Sequence, residues 1–154
     1  MIVHRQRLPS LIQKLKTEGK KIVFTNGCFD IIHAGHVYCL KKTKELGDIL
    51  IVGINSDQSI KKIKKNRPIN KLSDRMIVLD SIKYVDYVVS FDEETPENLI
   101  KMIKPDILTK GGDWDKKYIV GADFVESYGG KIVIIPYIKG RSTTNIIKKI
   151  RNLP

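Results

Sequence analysis

Two rhythms of apolar and polar positions alternate along the chain. Short, almost unbroken apolar runs rich in β-branched residues recur five times: KIVF (21–24), DILIVGIN (48–55), VDYVVSF (85–91), PDILTK (105–110) and KIVIIPYI (131–138). Each has the length and composition of a strand buried on both faces. Between them the apolar positions fall three and four apart. Leu8, Leu11, Ile12 and Leu15 share one face of a leading helix that stops near Gly19, and Val37, Leu40, Lys44 and Leu46 belong to a second, closed by Gly47. Ser73 is placed to cap a helix over SDRMIVLDSIKYV, and Thr95 with Pro96 makes an N-cap and first-turn pair for TPENLIKMIK. A shorter helix is expected between Gly121 and Gly129, and a last one over STTNIIKKI with Ser142 as its cap.

Strands alternating with helices imply βαβ units with right-handed crossovers. The expected fold is α/β: a doubly wound, five-stranded parallel sheet with helices on both faces. It is expected to form a single domain over residues 1–154, with the leading helix of residues 1–20 packed on it. In such sheets ligands bind beyond the carboxyl ends of the strands, where the strand order reverses. The chain turns polar and glycine-rich at those places, in TNGCFD, NSD, KGGDW and KGRSTT.

Composition narrows the class without deciding it. A length of 154 residues, 42% hydrophobic and 29% charged, fits one globular core. No apolar run approaches the roughly 20 residues that span a bilayer, and the amino terminus does not read as a secretory signal. Two cysteines, Cys28 and Cys39, make no disulfide framework, so a reducing cytoplasm is the expected location and no membrane partner is expected. The formal charge of +11 favours anionic partners. The one dense basic run, IKKIKKNRP, lacks the interleaved aromatics of a single-strand binder, and no nucleic-acid partner is expected.

The chemistry concentrates in NGCFDIIHAGH, residues 26–36. Gly27 permits a tight exit from the first strand, and Gly35 leaves room for a phosphate on the following helix's N-terminus. His33 and His36 stand three apart, so a helical turn there brings both rings to one side. Two imidazoles beside a helix N-terminus can stabilise a phosphoryl transition state by hydrogen bonding alone. Zinc ligation with Asp30 and Cys28 is the competing reading, but the spacing is not the usual i, i+4 and no third ligand group accompanies it. No Walker loop occurs. In GRSTTNII, Ser142, Thr143 and Thr144 offer hydroxyls and free amides at a second helix start, a role that simple capping by Ser142 also satisfies. In KGGDW the glycines allow close approach of a base or ribose, and Asp113 can accept hydrogen bonds from either. Asp57 could bind ribose hydroxyls or cap a helix.

GxFDxxHxGH resembles the hallmark of the HxGH nucleotidyltransferases, the cytidylyltransferase-like enzymes that join a nucleoside monophosphate to a phosphorylated acceptor. The form here, with LIVGINSD, RPIN, DRMIVLDSI, VDYVVSFDEETPENLI, PDILTKGGDW and GRSTTNIIKKI in order, is similar to the D-glycero-D-manno-heptose 1-phosphate adenylyltransferases. Those occur alone or as the second half of a bifunctional kinase–transferase. The likeness runs almost end to end and implies a Rossmann-like fold. It implies ATP and a phosphorylated sugar as partners, Mg²⁺ carried mainly by the ATP phosphates with no protein metal site, and it admits a homodimer. It assigns catalysis to His33, His36, Lys64 and Arg75. Nucleotide binding falls to Asn26, Gly27, Cys28, Phe29, Asp30, Gly35, Asp57, Gly111, Gly112, Asp113, Ser142, Thr143 and Thr144. The acceptor phosphate falls to Lys64, Arg67 and Lys83. Glycerol-3-phosphate cytidylyltransferases share much of the pattern but carry arginine where Tyr137 stands and GDDW where KGGDW stands. An FAD synthetase and a non-catalytic nucleotide- or RNA-binding module are the remaining alternatives.

Overall fold

A computed structural model describes residues 1–153. Its strands β1 (Ile22–Gly27), β2 (Ile49–Asn55), β3 (Tyr87–Phe91), β4 (Ile107–Gly111) and β5 (Lys131–Ile135) form one parallel sheet in the order β3-β2-β1-β4-β5. Around it run α1 (Leu8–Thr17), α2 (Ala34–Lys44), α3 (Asp57–Ile63), α4 (Leu72–Asp80), α5 (Glu97–Ile103), α6 (Ala122–Ser127) and α7 (Thr143–Arg151). The chain is therefore a Rossmann-like α/β fold.

Strand alternation divides the core in two. Ile22, Phe24, Ile51 and Leu108 join Leu8, Ile12 and Leu15 of α1 and Leu99 and Ile103 of α5 on one face, while Val23, Leu50, Val52 and Ile107 join Leu40 of α2 and Leu79 of α4 on the other. Each such side chain contributes roughly 1.5–3 kcal/mol by leaving water. Gly53 is part of this fit: a Cβ there would lie 2.7 Å from the Phe24 ring.

Register creates the opening for a ligand. β1 pairs with β2 from Ile22↔Ile49 to Gly27↔Ile54, but with β4 only at Val23↔Ile107 and Phe24↔Leu108. Beyond Phe24 the two central strands part, at the point where the strand order reverses. No helix among the described residues is long and apolar enough to cross a membrane.

Three helix starts differ from the sequence expectation. Lys71, with no side-chain cap, precedes α4, and Ser73 bonds Asp74 at 3.2 Å instead of capping. That helix ends at Asp80 rather than running on to Val85. Pro96 itself occupies the cap position of α5, so Thr95 does not. Helix α3, expected only through the alternative that Asp57 caps a helix, is polar apart from Ile60 and Ile63, and Ser56, not Asp57, caps it by accepting from the Ser59 amide at 3.2 Å.

Candidate active site

The exit of β1 is bent by Phe29, whose φ of 46° lies in the left-handed region. That turn buries the Phe29 ring and sets it 5.3 Å from the ring of His36. His33 is the extended N-cap of α2, and its Nδ1 accepts from the Gly35 amide at 3.1 Å. With Nδ1 accepting, the neutral ring carries its proton on Nε2, as a donor. The His36 ring stacks on it with centroids 3.9 Å apart at 31°. His36 Nδ1 is buried without a hydrogen-bond partner. The structure thus brings the two histidines together over the first turn of α2.

Both rings are held neutral. Burial pushes His36 down to about 4, assisted by His33 and Lys64. Burial and then Arg141 lower His33 as well. A histidine whose folded value lies below its unfolded one weakens the fold as pH falls, because the unfolded chain takes the proton first. Stability should therefore decline from about pH 6.5 towards pH 4 on account of His36, by an amount on the order of 3 kcal/mol. Urea titrations across that window measure it, and His36→Asn should flatten the slope.

Beneath His36 lies a cavity of about 80 Å³, lined by Cys28, Phe29, His36, Lys64, Arg67 and Thr143 among others. That is room for a small polar group on the scale of a phosphoryl. Asp30 holds one wall. Its carboxylate accepts from Arg67 Nη1 at 2.9 Å, from the Ile69 amide at 2.9 Å and from the Asn70 amide at 2.8 Å. Burial alone would raise this carboxyl, but those amides and the guanidinium outweigh it and keep it below the usual carboxylate range. Asp30 therefore anchors the Arg67–Asn70 loop, with its oxygens already engaged. Among the described residues no three His, Cys, Asp or Glu side chains converge to cage a metal ion.

Arg75 sits behind the site rather than in it. Only 1% exposed, it donates to the carbonyls of Asn70 (3.0 Å), Cys28 (2.7 Å) and Asn55 (2.8 Å) and to Asp57 Oδ1 (2.7 Å). One guanidinium joins the exits of β1 and β2 to α3 and the Asn70 loop, leaving little to offer a substrate. Asp57 is correspondingly engaged. Lys64 ends α3 and its ammonium acts on His36. Lys83 is not brought to this cluster: it lies between α4 and β3, at the amino end of the sheet, over the Tyr84 ring at 5.1 Å.

The other wall comes from β4 and the start of α7. Gly112 has φ +112°, and a Cβ on it would fall 2.4 Å from the Tyr137 ring. Tyr137 and the second glycine of KGGDW thus form one contact surface. Asp113 beside it is exposed. Ser142 caps α7 by accepting from the Asn145 amide at 3.1 Å, and Thr143 Oγ1 donates to the Ile31 carbonyl at 3.2 Å. That bond holds the N-terminus of α7 against the loop leading into α2, with Arg141 packed by Gly35 and Thr144 exposed. Two helix N-termini meet around the histidine pair. One residue of this wall escaped the sequence reading: Lys110, half-buried at the end of β4. Its signal was its place as the first residue of KGGDW, near the end of an apolar strand.

A family model described as cytidylyltransferase-like matches residues 24–149. The chain is 54% identical over 144 residues to a protein from a Nitratiruptor species, covering 92% of this chain and 30% of that one. It is 50% identical over 151 residues to one from Wolinella succinogenes, covering 97% and 31%. Both relatives are named "Bifunctional protein HldE". The chain thus spans about a third of the length of these curated relatives. Among solved structures it resembles the lipopolysaccharide core biosynthesis protein from Thermoplasma volcanium GSS1. The TM-score is 0.66 at 30% identity, covering 80% of this chain and all of that one.

Proposed function

The chain belongs to the cytidylyltransferase-like family and is a nucleotidyltransferase, and from that premise we propose that it adenylylates a sugar 1-phosphate. The proposed reaction joins ATP to D-glycero-D-manno-heptose 1-phosphate and yields ADP-heptose and pyrophosphate. The observation that carries it is the neutral, stacked histidine pair set between the N-termini of α2 and α7. A phosphate-oxygen nucleophile needs no protein base; it needs the charge building on the α-phosphoryl group to be met by donors already in place.

In this reading the sugar-phosphate oxygen attacks the α-phosphorus of ATP in line. A new P–O bond forms as the bond to the β-phosphate breaks, and the electron pair leaves with pyrophosphate. His33 Nε2–H and His36 hydrogen-bond the α-phosphoryl oxygens. Amides at the starts of α2 and α7, with Lys64 and Arg67, hold the departing phosphates around the small cavity. Arg75 and Asp30 keep those groups in place. Asn26, Gly27, Cys28, Gly111, Gly112 and Asp113 line the nucleotide's approach through the crevice between β1 and β4. Mg²⁺ arriving on ATP would neutralise phosphate charge.

Pyrophosphate release with ATP and CTP, each crossed with both anomers of heptose 1-phosphate, with glycerol 3-phosphate and with FMN, tests the proposal. Activity confined to ATP with a heptose 1-phosphate is expected; turnover of CTP with glycerol 3-phosphate would overturn the choice of substrate. Ser142→Ala should weaken ATP binding several-fold and cost about 1 kcal/mol of stability through the lost cap. Calorimetric ATP titration checks the first effect, and an unchanged affinity would reduce Ser142 to a cap.

A further inference from the structure

Arg141 remains outside the proposed chemistry, yet its place beside the histidine pair is fixed. It follows Gly140, whose φ is +75°, and immediately precedes Ser142, the cap of α7. Its amide donates to the Ile138 carbonyl at 3.3 Å, and two residues on, Thr143 Oγ1 ties the helix start to the Ile31 carbonyl. The backbone of Arg141 is thereby pinned against the loop that enters α2. Gly35 marks how close it comes: a Cβ on that glycine would fall 3.0 Å from the His33 ring and 3.2 Å from Arg141 Cβ. Burial, and then the positive charge of Arg141, lower the pKa of His33.

The guanidinium itself is exposed and makes no ion pair or side-chain hydrogen bond among the described residues. The other two arginines of the site are committed, Arg67 to Asp30 at 2.9 Å and Arg75 to Asp57 at 2.7 Å. Asp30 is the only carboxylate lining the cavity under His36, and its oxygens are already engaged. A fork of donors therefore stands beside neutral histidines with no protein anion to answer it, an arrangement suited to a phosphate from outside. Size decides which phosphate. The departing group has two, and the cavity, at about 80 Å³, is on the scale of one phosphoryl. The phosphate joined to the α-phosphorus takes that cavity, beneath His36. Thr143 lines it and Arg141 does not, although only Ser142 separates them. The terminal phosphate then lies just outside, towards the residue that precedes the cap.

We propose that Arg141 binds the terminal phosphate of ATP and holds the pyrophosphate as it leaves. The inference rests on the adenylyltransferase reading and deepens it. As the bond from the α-phosphorus to its bridging oxygen breaks, the electron pair stays with pyrophosphate, whose charge spreads over both phosphates. A planar guanidinium can take two oxygens of the outer phosphate at once, which a single hydroxyl or amide cannot.

Calorimetric titrations of ATP, AMP and pyrophosphate, each with Mg²⁺, into the wild type, Arg141→Met and Arg141→Lys test this. Arg141→Met should weaken ATP and pyrophosphate at least tenfold and AMP less than twofold, because AMP lacks the phosphates in question. Arg141→Lys should fall between the other two proteins, keeping the charge and losing the fork. All three should melt together, since the side chain is exposed and unpaired. Unchanged affinity of Arg141→Met for ATP or for pyrophosphate would overturn the inference and leave Arg141 a surface charge. An equal loss for ATP and AMP would overturn it too, by making Arg141 a support for the site as a whole. In turnover, product inhibition by pyrophosphate should weaken in Arg141→Met by the same factor as its binding, while inhibition by ADP-heptose should not. A wild type that binds pyrophosphate through Arg141 but makes no ADP-heptose would instead contradict the substrate assignment and leave the Arg141 site standing.

Discussion

His36→Ala should lower turnover by two to three orders of magnitude, a loss of about 3–4 kcal/mol of transition-state stabilisation. The ring is neutral at physiological pH, packed between Phe29 and His33, and placed over the phosphoryl-sized cavity. Its orientation is fixed before any substrate arrives, so no reorganisation is needed when charge develops. The same packing leaves its Nδ1 buried without a partner. Removing the ring should consequently cost little stability at pH 7 and remove the His36 share of the decline expected below pH 6.5. Steady-state rates, with circular dichroism to establish an intact fold, measure both effects. A folded His36→Ala enzyme with near-wild-type turnover would end the catalytic assignment.

Arg75→Met should remove about 3–5 kcal/mol of folding stability, because its truncation strands a carboxylate and three carbonyl groups at once. Asn70, Cys28 and Asn55 lose their donor, and Asp57 loses its ion pair. Of these partners Asp57 is the most tolerant: with its side chain 35% exposed, it can turn to water. Asp57→Asn should therefore cost much less than Arg75→Met. Urea denaturation of the two variants separates a hub from a substrate-binding residue. Equal stabilities for wild type and Arg75→Met would return the guanidinium to the role of a charge neutraliser in the site.

The elements that could be read from the chain were those whose physics is local. Both-face burial leaves unbroken apolar runs, so all five strands stand out, and the Ser142 cap precedes an unmistakable apolar period. The histidine pair is visible because spacing and flanking glycines lie within eleven residues. Helix α3 was legible only as the alternative of a cap at Asp57, because Ile60 alone supplies its buried apolar anchor; Asn55 and the Glu93 carbonyl hold Ser59, and those bonds cross the sheet end. The resemblance reads Arg75 as a catalytic charge, and only the meeting of the Cys28 and Asn55 carbonyls with Asp57 around it explains its burial. Asp30 belongs to the motif, but its anchoring of the Arg67–Asn70 loop depends on residues some forty positions away. Lys110 depends on where β1 and β4 separate, a matter of register that composition does not encode.

The central claim is attack of a sugar-phosphate oxygen on the α-phosphorus of ATP. ³¹P NMR of a reaction run with heptose 1-phosphate carrying ¹⁸O on its phosphate tests it most directly. The account predicts label in ADP-heptose, including the oxygen bridging its two phosphorus atoms, and unlabelled pyrophosphate. Label in the released phosphate products, or ADP appearing in place of pyrophosphate, would contradict it.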